Sequence, residues 1–283
     1  MIETAIARCG GVARRAELLT MTGMNPRALD REVARLVDSG TIRRPRRGIV
    51  ALHDAPRARV VARSVGGAVT CVSAAHEWGL PLLAVPSSAH VAVPTSTSGR
   101  ITSLVPAGTV LHWDSTARPG AGRPDPVGMF RHLVSCLPLR EVVAVADAAL
   151  RRGLVRREQL EATRPRSSWS DHERLVRAMD PGAQSIAESF ARVALTSAGL
   201  RVQTQVYFPG VGQVDMLVEG VVVVEIDGFA YHSGRQEFRE DRRRDRELLL
   251  EHGLPVLRFG FEDSVHQTAQ LVEDVRAAVA RRR

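Results

Sequence analysis

The 283-residue chain contains no lysine, and all 39 of its basic residues are arginine. Any mechanism that needs an ammonium to orient water or to offset charge on a phosphate is therefore excluded. Long apolar runs are also missing. The longest are a few residues, far short of the roughly 20 needed to cross a bilayer, and the opening MIETAIARCGG has no apolar leader. A soluble, cytoplasmic protein with no membrane partner is the expectation. Cysteine is scarce: Cys9, Cys71 and Cys136 lie far apart and form no CxxC pair, so neither a disulfide framework nor a zinc knuckle is signalled. Buried free thiols are expected instead.

At 283 residues the chain exceeds the common size of one domain, so two or three domains are expected, each able to bury its own core. The charge is uneven. Residues 1–64 hold 13 Arg against 6 acids, 65–150 hold 5 against 5, and 151–283 hold 21 against 20. The overall +8 thus belongs almost wholly to the first quarter, where a footprint for nucleic acid should be sought.

That quarter carries well-marked boundaries. In MNPRALDREVARLVDSG, Asn25 suits an N-cap, Pro26 the first helical position and Gly40 a left-handed stop. Leu29, Val33 and Leu36 share one helical face, while Arg27, Arg31 and Arg35 recur every fourth residue on another. A shorter helix over VARRAELLTMTG precedes it, and TIRRPRRGIVAL reads as two strands around a Pro45–Gly48 turn. Helix, turn, helix and basic hairpin is the order of a winged helix-turn-helix. In such a module the second helix enters the major groove of double-stranded DNA and the wing, here Arg43, Arg44, Arg46 and Arg47, reaches phosphates or the minor groove. The alternative is a solvated arginine face, or a winged helix that binds protein. The pieces GGVARRAELL, DSG and RRGIVAL resemble the N-terminal domain of AbiEi-type antitoxins, and that resemblance implies DNA binding and a cognate toxin as partner.

From about Val65 the chain alternates short apolar runs with Pro, Gly and Ser, as a small mixed α/β domain does. No catalytic spacing appears there; His76 and Glu77 in SAAHEWG read as a structural pair. CVSAAHEWGLP and HVAVP resemble the middle part of the same antitoxin family. The arginine-rich stretch from Leu150 to Glu173 reads as a helix and a polar linker, with a boundary near 165–182.

After Ser185 the pattern becomes helix, three strands, helix, strand, helix. VVVV and PVLRF lack alternation, as strands covered on both faces do. Asp215 on one strand and Glu225 with Asp227 on its neighbour are joined by the tight Glu219–Gly220 turn, so all three carboxylates are expected to converge. Converging carboxylates repel unless a cation sits among them, and hard oxygen ligands suit Mg²⁺ or Mn²⁺, which activate water for attack on a phosphodiester. His232 could act as general base, general acid or electrostatic partner.

The same residues, EIDGFAYH with the D-x-x-R-D helix and the LRF strand, resemble a family related to the very-short-patch mismatch repair endonucleases, within the PD-(D/E)xK superfamily. The resemblance implies Asp215 as principal metal ligand and Glu225 and Asp227 at the positions of the second acid and the usual lysine. Glu188 would be a supporting acid, and His232 would match a histidine of the repair enzymes. With the lysine absent, the resemblance implies that His232 takes over part of its duty, with Arg244 or Arg258 as charge partner. Plainer readings stand beside these. Glu188 follows Ser185 at capping-box spacing. Asp241, Arg242, Arg244 and Asp245 suit surface pairs, and Asp227-Gly228 is a common turn.

The expectation is therefore an α/β multidomain chain: a winged helix-turn-helix over 1–64, a mixed domain over 65–165 and a restriction-endonuclease-like core over 183–283. Its function is expected to be metal-dependent cleavage of DNA, possible as a homodimer. The alternatives are a transcriptional regulator or antitoxin with an inactive nuclease fold, and a nuclease directed at RNA.

Overall fold

A computed structural model of the chain describes residues 1–97, 101, 105–118, 120, 123–163, 165, 169–227 and 235–282, the side chains of 235–238 excepted. His232 and Gly228 lie outside the described residues. Two compact units form, one of Met1–Cys136 with Ala162–Trp169, the other of Leu137–Glu161 with Ser170–Arg283. No helix among the described residues is long and apolar enough to cross a membrane.

The first unit opens with α1 (Ile2–Arg8), β1 (Val12–Arg14), α2 (Arg15–Thr22), α3 (Pro26–Asp38), β2 (Ile42–Arg46) and β3 (Ile49–Leu52). The sequence signals act as their chemistry requires. Asn25 Oδ1 accepts the N–H of Ala28 at 2.8 Å, and Pro26 follows as the first residue of α3. Leu29, Val33 and Leu36 are buried against Ile2, Ile6 and Leu18. The strands form a sheet of order β1-β3-β2, so the helix-turn-helix carries a wing. The turn differs from the expected Pro45–Gly48. Pro45 stays inside β2, at a register irregularity between Arg43 and Arg46, and the chain reverses at Arg47-Gly48 with Arg46 facing Ile49. Because β2 is an edge strand, Pro45's missing N–H leaves no ladder bond unmade.

The middle region adds α4 (Arg57–Val65), β4 (Ala68–Val69), α5 (Cys71–Glu77), β5 (Ala89–Val93), β6 (Thr109–Trp113) and α6 (Phe130–Cys136). Its sheet has the order β4-β5-β6, with β5 and β6 parallel. Val61, Ala62 and Val65 of α4 pack against Ala89, Val91 and Val93 of β5. Strand alternation therefore turns His90 and Ala92 to the opposite face.

The second unit contains α7 (Leu139–Arg151), α8 (Arg157–Glu161), α9 (Trp169–Ala178, from Ser170 on), α10 (Ile186–Ser197), β7 (Val202–Phe208), β8 (Gly212–Val218), β9 (Val222–Ile226), α11 (Arg235–His252), β10 (Val256–Phe259), α12 (Phe261–Val265) and α13 (Thr268–Ala280). Strands β7, β8 and β9 form an antiparallel meander, and β10 joins parallel to β9, giving the order β10-β9-β8-β7. One face buries Met216, Val218, Val222, Val224 and Ile226 against Leu195 and Val275. The other buries Val214 and Val223 against Leu248 and Leu254. Val222, Val223 and Val224 are fully buried, each contributing about 1.5–3 kcal/mol, which is why VVVV shows no alternation.

Two boundaries depart from the sequence reading. Helix α7, expected in the middle domain, belongs to the second unit: Ala144 packs with Phe190 of α10, and Asp147 is hydrogen-bonded to Ser189 and paired with Arg192. Helix α9 stands where the polar linker was expected to follow a helix, because His172 and Leu175 give that segment a buried face.

Candidate nucleic-acid interface and acidic site

The helix-turn-helix is fixed by a short staple. Arg15 at the start of α2 forms a bidentate pair with Asp30 on α3, at 2.7 and 2.8 Å. The seven arginines expected to meet DNA then divide by what they already touch. Arg27, Arg31, Arg44 and Arg47 are exposed and make no hydrogen bond or ion pair among the described residues. Arg35 is exposed but clamped by Glu32 one turn away, at 2.6 Å. Arg43 turns inward, donating to the carbonyls of Leu52 and Ala55 at 3.3 and 3.5 Å. Arg46 donates to the carbonyl of Ser64 at 2.6 Å. Four guanidiniums are therefore exposed without a hydrogen bond or ion pair among the described residues, two brace the wing, and one is neutralised.

The acidic site is built by strand register. Asp215 and Glu225 lie one step beyond the Met216–Val224 pair of β8 and β9, and Arg258 of β10 is the register partner of Glu225. The Ile226 N–H donates to Asp215 Oδ2 at 2.8 Å, which holds that carboxylate against β9. Burial, then the negative charge and hydrogen bond of Asp215, push the Glu225 carboxyl up to about 8. Glu225 therefore holds its proton beside the Asp215 carboxylate. Arg244 of α11 approaches Glu225 at 3.7 Å and donates to the Gln213 carbonyl at 2.6 Å, while its Nε is buried with no hydrogen-bond partner among the described residues.

Glu188 enters from α10 and is also buried. Its N–H donates to Ser185 Oγ at 3.1 Å, and its Oε2 accepts from the Gln184 N–H at 2.7 Å and Gln205 Nε2 at 3.3 Å. Half of the capping box is present, with the return bond made one residue early. Burial first, and then the nearby Asp215 charge, raise the Glu188 carboxyl as well.

Asp227 goes elsewhere. Arg258 grips it at 3.1 Å and Asp245 at 2.9 Å, so the helix acid and the acid after β9 share one guanidinium. Asp241 makes no hydrogen bond or ion pair among the described residues. The structure thus brings together Asp215, Glu225 and Arg244, with Glu188 close by, and places Asp227 with Arg258 and Asp245. Gln205 was missed by the sequence reading. It sits at a positive φ of 52° in β7, a break in the ladder that no residue type announces.

A second cluster was missed entirely. Cys71, His90, His112 and Cys136 meet in the middle region, and among the described residues they are the one group of three or more His, Cys, Asp or Glu whose ligand atoms gather within 4.8 Å. The intervening sequence is long at every step, so no short spacing revealed them.

Residues 1–53 match the family described as "Transcriptional regulator, AbiEi antitoxin". The match ends as β3 ends, so it covers the winged helix alone. No curated protein matches the chain.

Proposed function

We propose that the chain is a DNA-binding transcriptional regulator of the AbiEi antitoxin kind, which reads duplex DNA with its winged helix and takes a cognate toxin as protein partner. One observation carries this reading. The family match and the exposed guanidiniums of Arg27, Arg31, Arg44 and Arg47, which make no hydrogen bond or ion pair among the described residues, fall on the same small module. Free guanidiniums on a recognition helix and wing release counterions from DNA, and each phosphate neutralised adds about 0.9 to the salt slope of binding. The test is to select duplexes from a random-sequence pool with the full chain, then measure binding across salt concentrations. The Arg27→Ala, Arg31→Ala double variant should bind more weakly, with the slope reduced by about 2. Failure to enrich any duplex, or an unchanged slope, would overturn the reading.

A second reading, metal-dependent phosphodiester cleavage, is favoured by one feature of the acidic site. Buried Glu225 and half-buried Asp215 form a carboxylate pair beside Arg244, whose Nε has no partner among the described residues. Two adjacent carboxylates fit a hard divalent ion, Mg²⁺ or Mn²⁺, that would take the place of the Glu225 proton with water completing its shell. Such an ion supplies an activated water and offsets charge on the phosphate. Around it Asp215 is oriented by the Ile226 N–H, and the partly exposed Arg244 guanidinium would offset charge on a phosphate oxygen. Asp227 would join only by leaving Arg258. Supercoiled plasmid and mixed RNA, each with Mg²⁺, Mn²⁺ or EDTA, test this against Asp215→Ala. Metal-dependent nicking that the variant loses supports it, preferential loss of RNA makes the substrate RNA, and two intact substrates sink it.

A further inference from the structure

The middle region holds a constellation that neither functional reading uses. His90 on β5 and His112 on β6 both point away from the face packed against α4: their neighbours Val91, Leu111 and Trp113 belong to that core. Strands β5 and β6 are parallel with Ala92 opposite His112, so the two histidines are diagonal neighbours on one face. His90 Nδ1 and His112 Nε2 come within 3.1 Å. Cys71 begins α5 and Cys136 ends α6, and the two helix ends bring their sulfurs to the same place.

We propose that Cys71, His90, His112 and Cys136 form a tetrahedral structural zinc site. A zinc ion with Zn–S near 2.3 Å and Zn–N near 2.0–2.1 Å sets its ligand atoms about 3.3–3.8 Å apart. The four ligand atoms already lie within 4.8 Å of one another, so closure needs only small side-chain adjustments. Two sulfurs and two imidazole nitrogens are a soft donor set that rejects Mg²⁺ and Ca²⁺ and selects zinc. Two thiolates also neutralise the ion's charge, which matters because Cys71 is fully buried. Four protein ligands leave no open position, so the role is structural.

The surroundings hold the ligands in place. The Thr70 N–H donates to the His90 carbonyl at 3.1 Å, and the His90 N–H donates to Ser73 Oγ at 2.9 Å, which locks the start of α5 to β5. Cys71 itself is held at a φ of 54°, a left-handed conformation that is strained for a non-glycine residue. A third histidine, His132, stacks beside His112 with ring centroids 4.5 Å apart. It is held by Thr70 Oγ1 at 2.8 Å and Asp114 at 3.4 Å and is not a ligand. The sheet it supports has only three strands and a small apolar core, the situation in which a metal staple contributes most. A disulfide between the two cysteines would leave the inward histidine pair without a purpose.

The experiment measures zinc by mass spectrometry in full-length protein purified under reducing conditions without chelator and then reconstituted with zinc. About one zinc per chain is expected in wild type, in Asp215→Asn and in His132→Ala. The Cys71→Ser, Cys136→Ser double variant should hold almost none. Should that variant fail to fold, the wild-type cobalt spectrum decides: tetrahedral Co²⁺ with thiolate ligands gives strong visible bands and sulfur charge transfer. Zinc well below one tenth per chain with both thiols free, a Cys71–Cys136 disulfide in the reduced preparation, or a cobalt spectrum without thiolate transitions would each overturn the proposal.

Discussion

The Ile226 N–H holds Asp215 at 2.8 Å, which fixes that carboxylate beside the next residue back, the buried Glu225. With Asp215 fixed as acceptor, Glu225 is left buried beside a negative charge and keeps its proton to about 8. Folding therefore binds a proton that the unfolded chain has already released at neutral pH. The stability from that proton is complete below the unfolded glutamate value and declines as pH rises towards 8. Urea unfolding in EDTA across pH 4 to 9 should show this decline, and Glu225→Gln should flatten it. A Glu225→Gln profile parallel to wild type would show that the proton is held elsewhere.

Asp147 and Arg192 form the second buried charge relationship, at 2.8 Å, with side chains 1% and 6% exposed. Asp147 also accepts from Ser189 Oγ and the Asp180 N–H, so α7, α10 and the loop before α10 meet on one carboxylate. Removing it strands a guanidinium in the interior. Asp147→Ala should cost about 3–5 kcal/mol, read as a lowered urea midpoint. A double change to similar-sized apolar residues should recover most of the loss. Equal loss in single and double variants would locate the cost in packing alone.

The architecture was legible where residues announce themselves locally. Asn25-Pro26, the Glu219–Gly220 turn and the apolar VVVV run each fix an element by short-range chemistry, and the strands and helices they imply are present. What escaped depends on distant partners. Helix α7 looked like part of the middle region because its ties to Phe190, Ser189 and Arg192 are about 40 residues away. Asp227 looked equivalent to Glu225 at two residues' distance, but β10 presents Arg258 to it and draws it off. Cys71 and Cys136 read as isolated thiols because their spacing carries no signal; only the parallel pairing of β5 and β6 brings His90 and His112 between them.

Gly67 makes the middle sheet sensitive to a single methyl. A Cβ built there would sit 2.4 Å from the carbonyl oxygen of Ala92 and 2.8 Å from Val91 Cγ1. The first obstacle is backbone of the central strand, which cannot swing aside. Gly67→Ala should therefore push β4 off β5 and destabilise the first unit by about 1–3 kcal/mol. Hydrogen exchange at Ala68, Val69 and Val91 should rise well above exchange in β2 and β3. Unchanged protection at those amides would mean the chain accommodates the methyl by shifting before β4.

The wing offers the sharpest contrast, because neighbouring arginines of one hairpin have opposite duties. Arg47 is exposed at the turn with no ion pair among the described residues, whereas Arg43 spends its guanidinium on the carbonyls of Leu52 and Ala55. Arg47→Ala should reduce the salt slope of DNA binding by about 0.9 and leave unfolding unchanged. Arg43→Ala should keep the slope and lower stability by about 1 kcal/mol, the worth of a charged donor on backbone acceptors at a partly exposed site. Reversed roles would place DNA against the inner edge of the wing, and a loss of slope in both variants would mean that Arg43 leaves its carbonyls when DNA arrives.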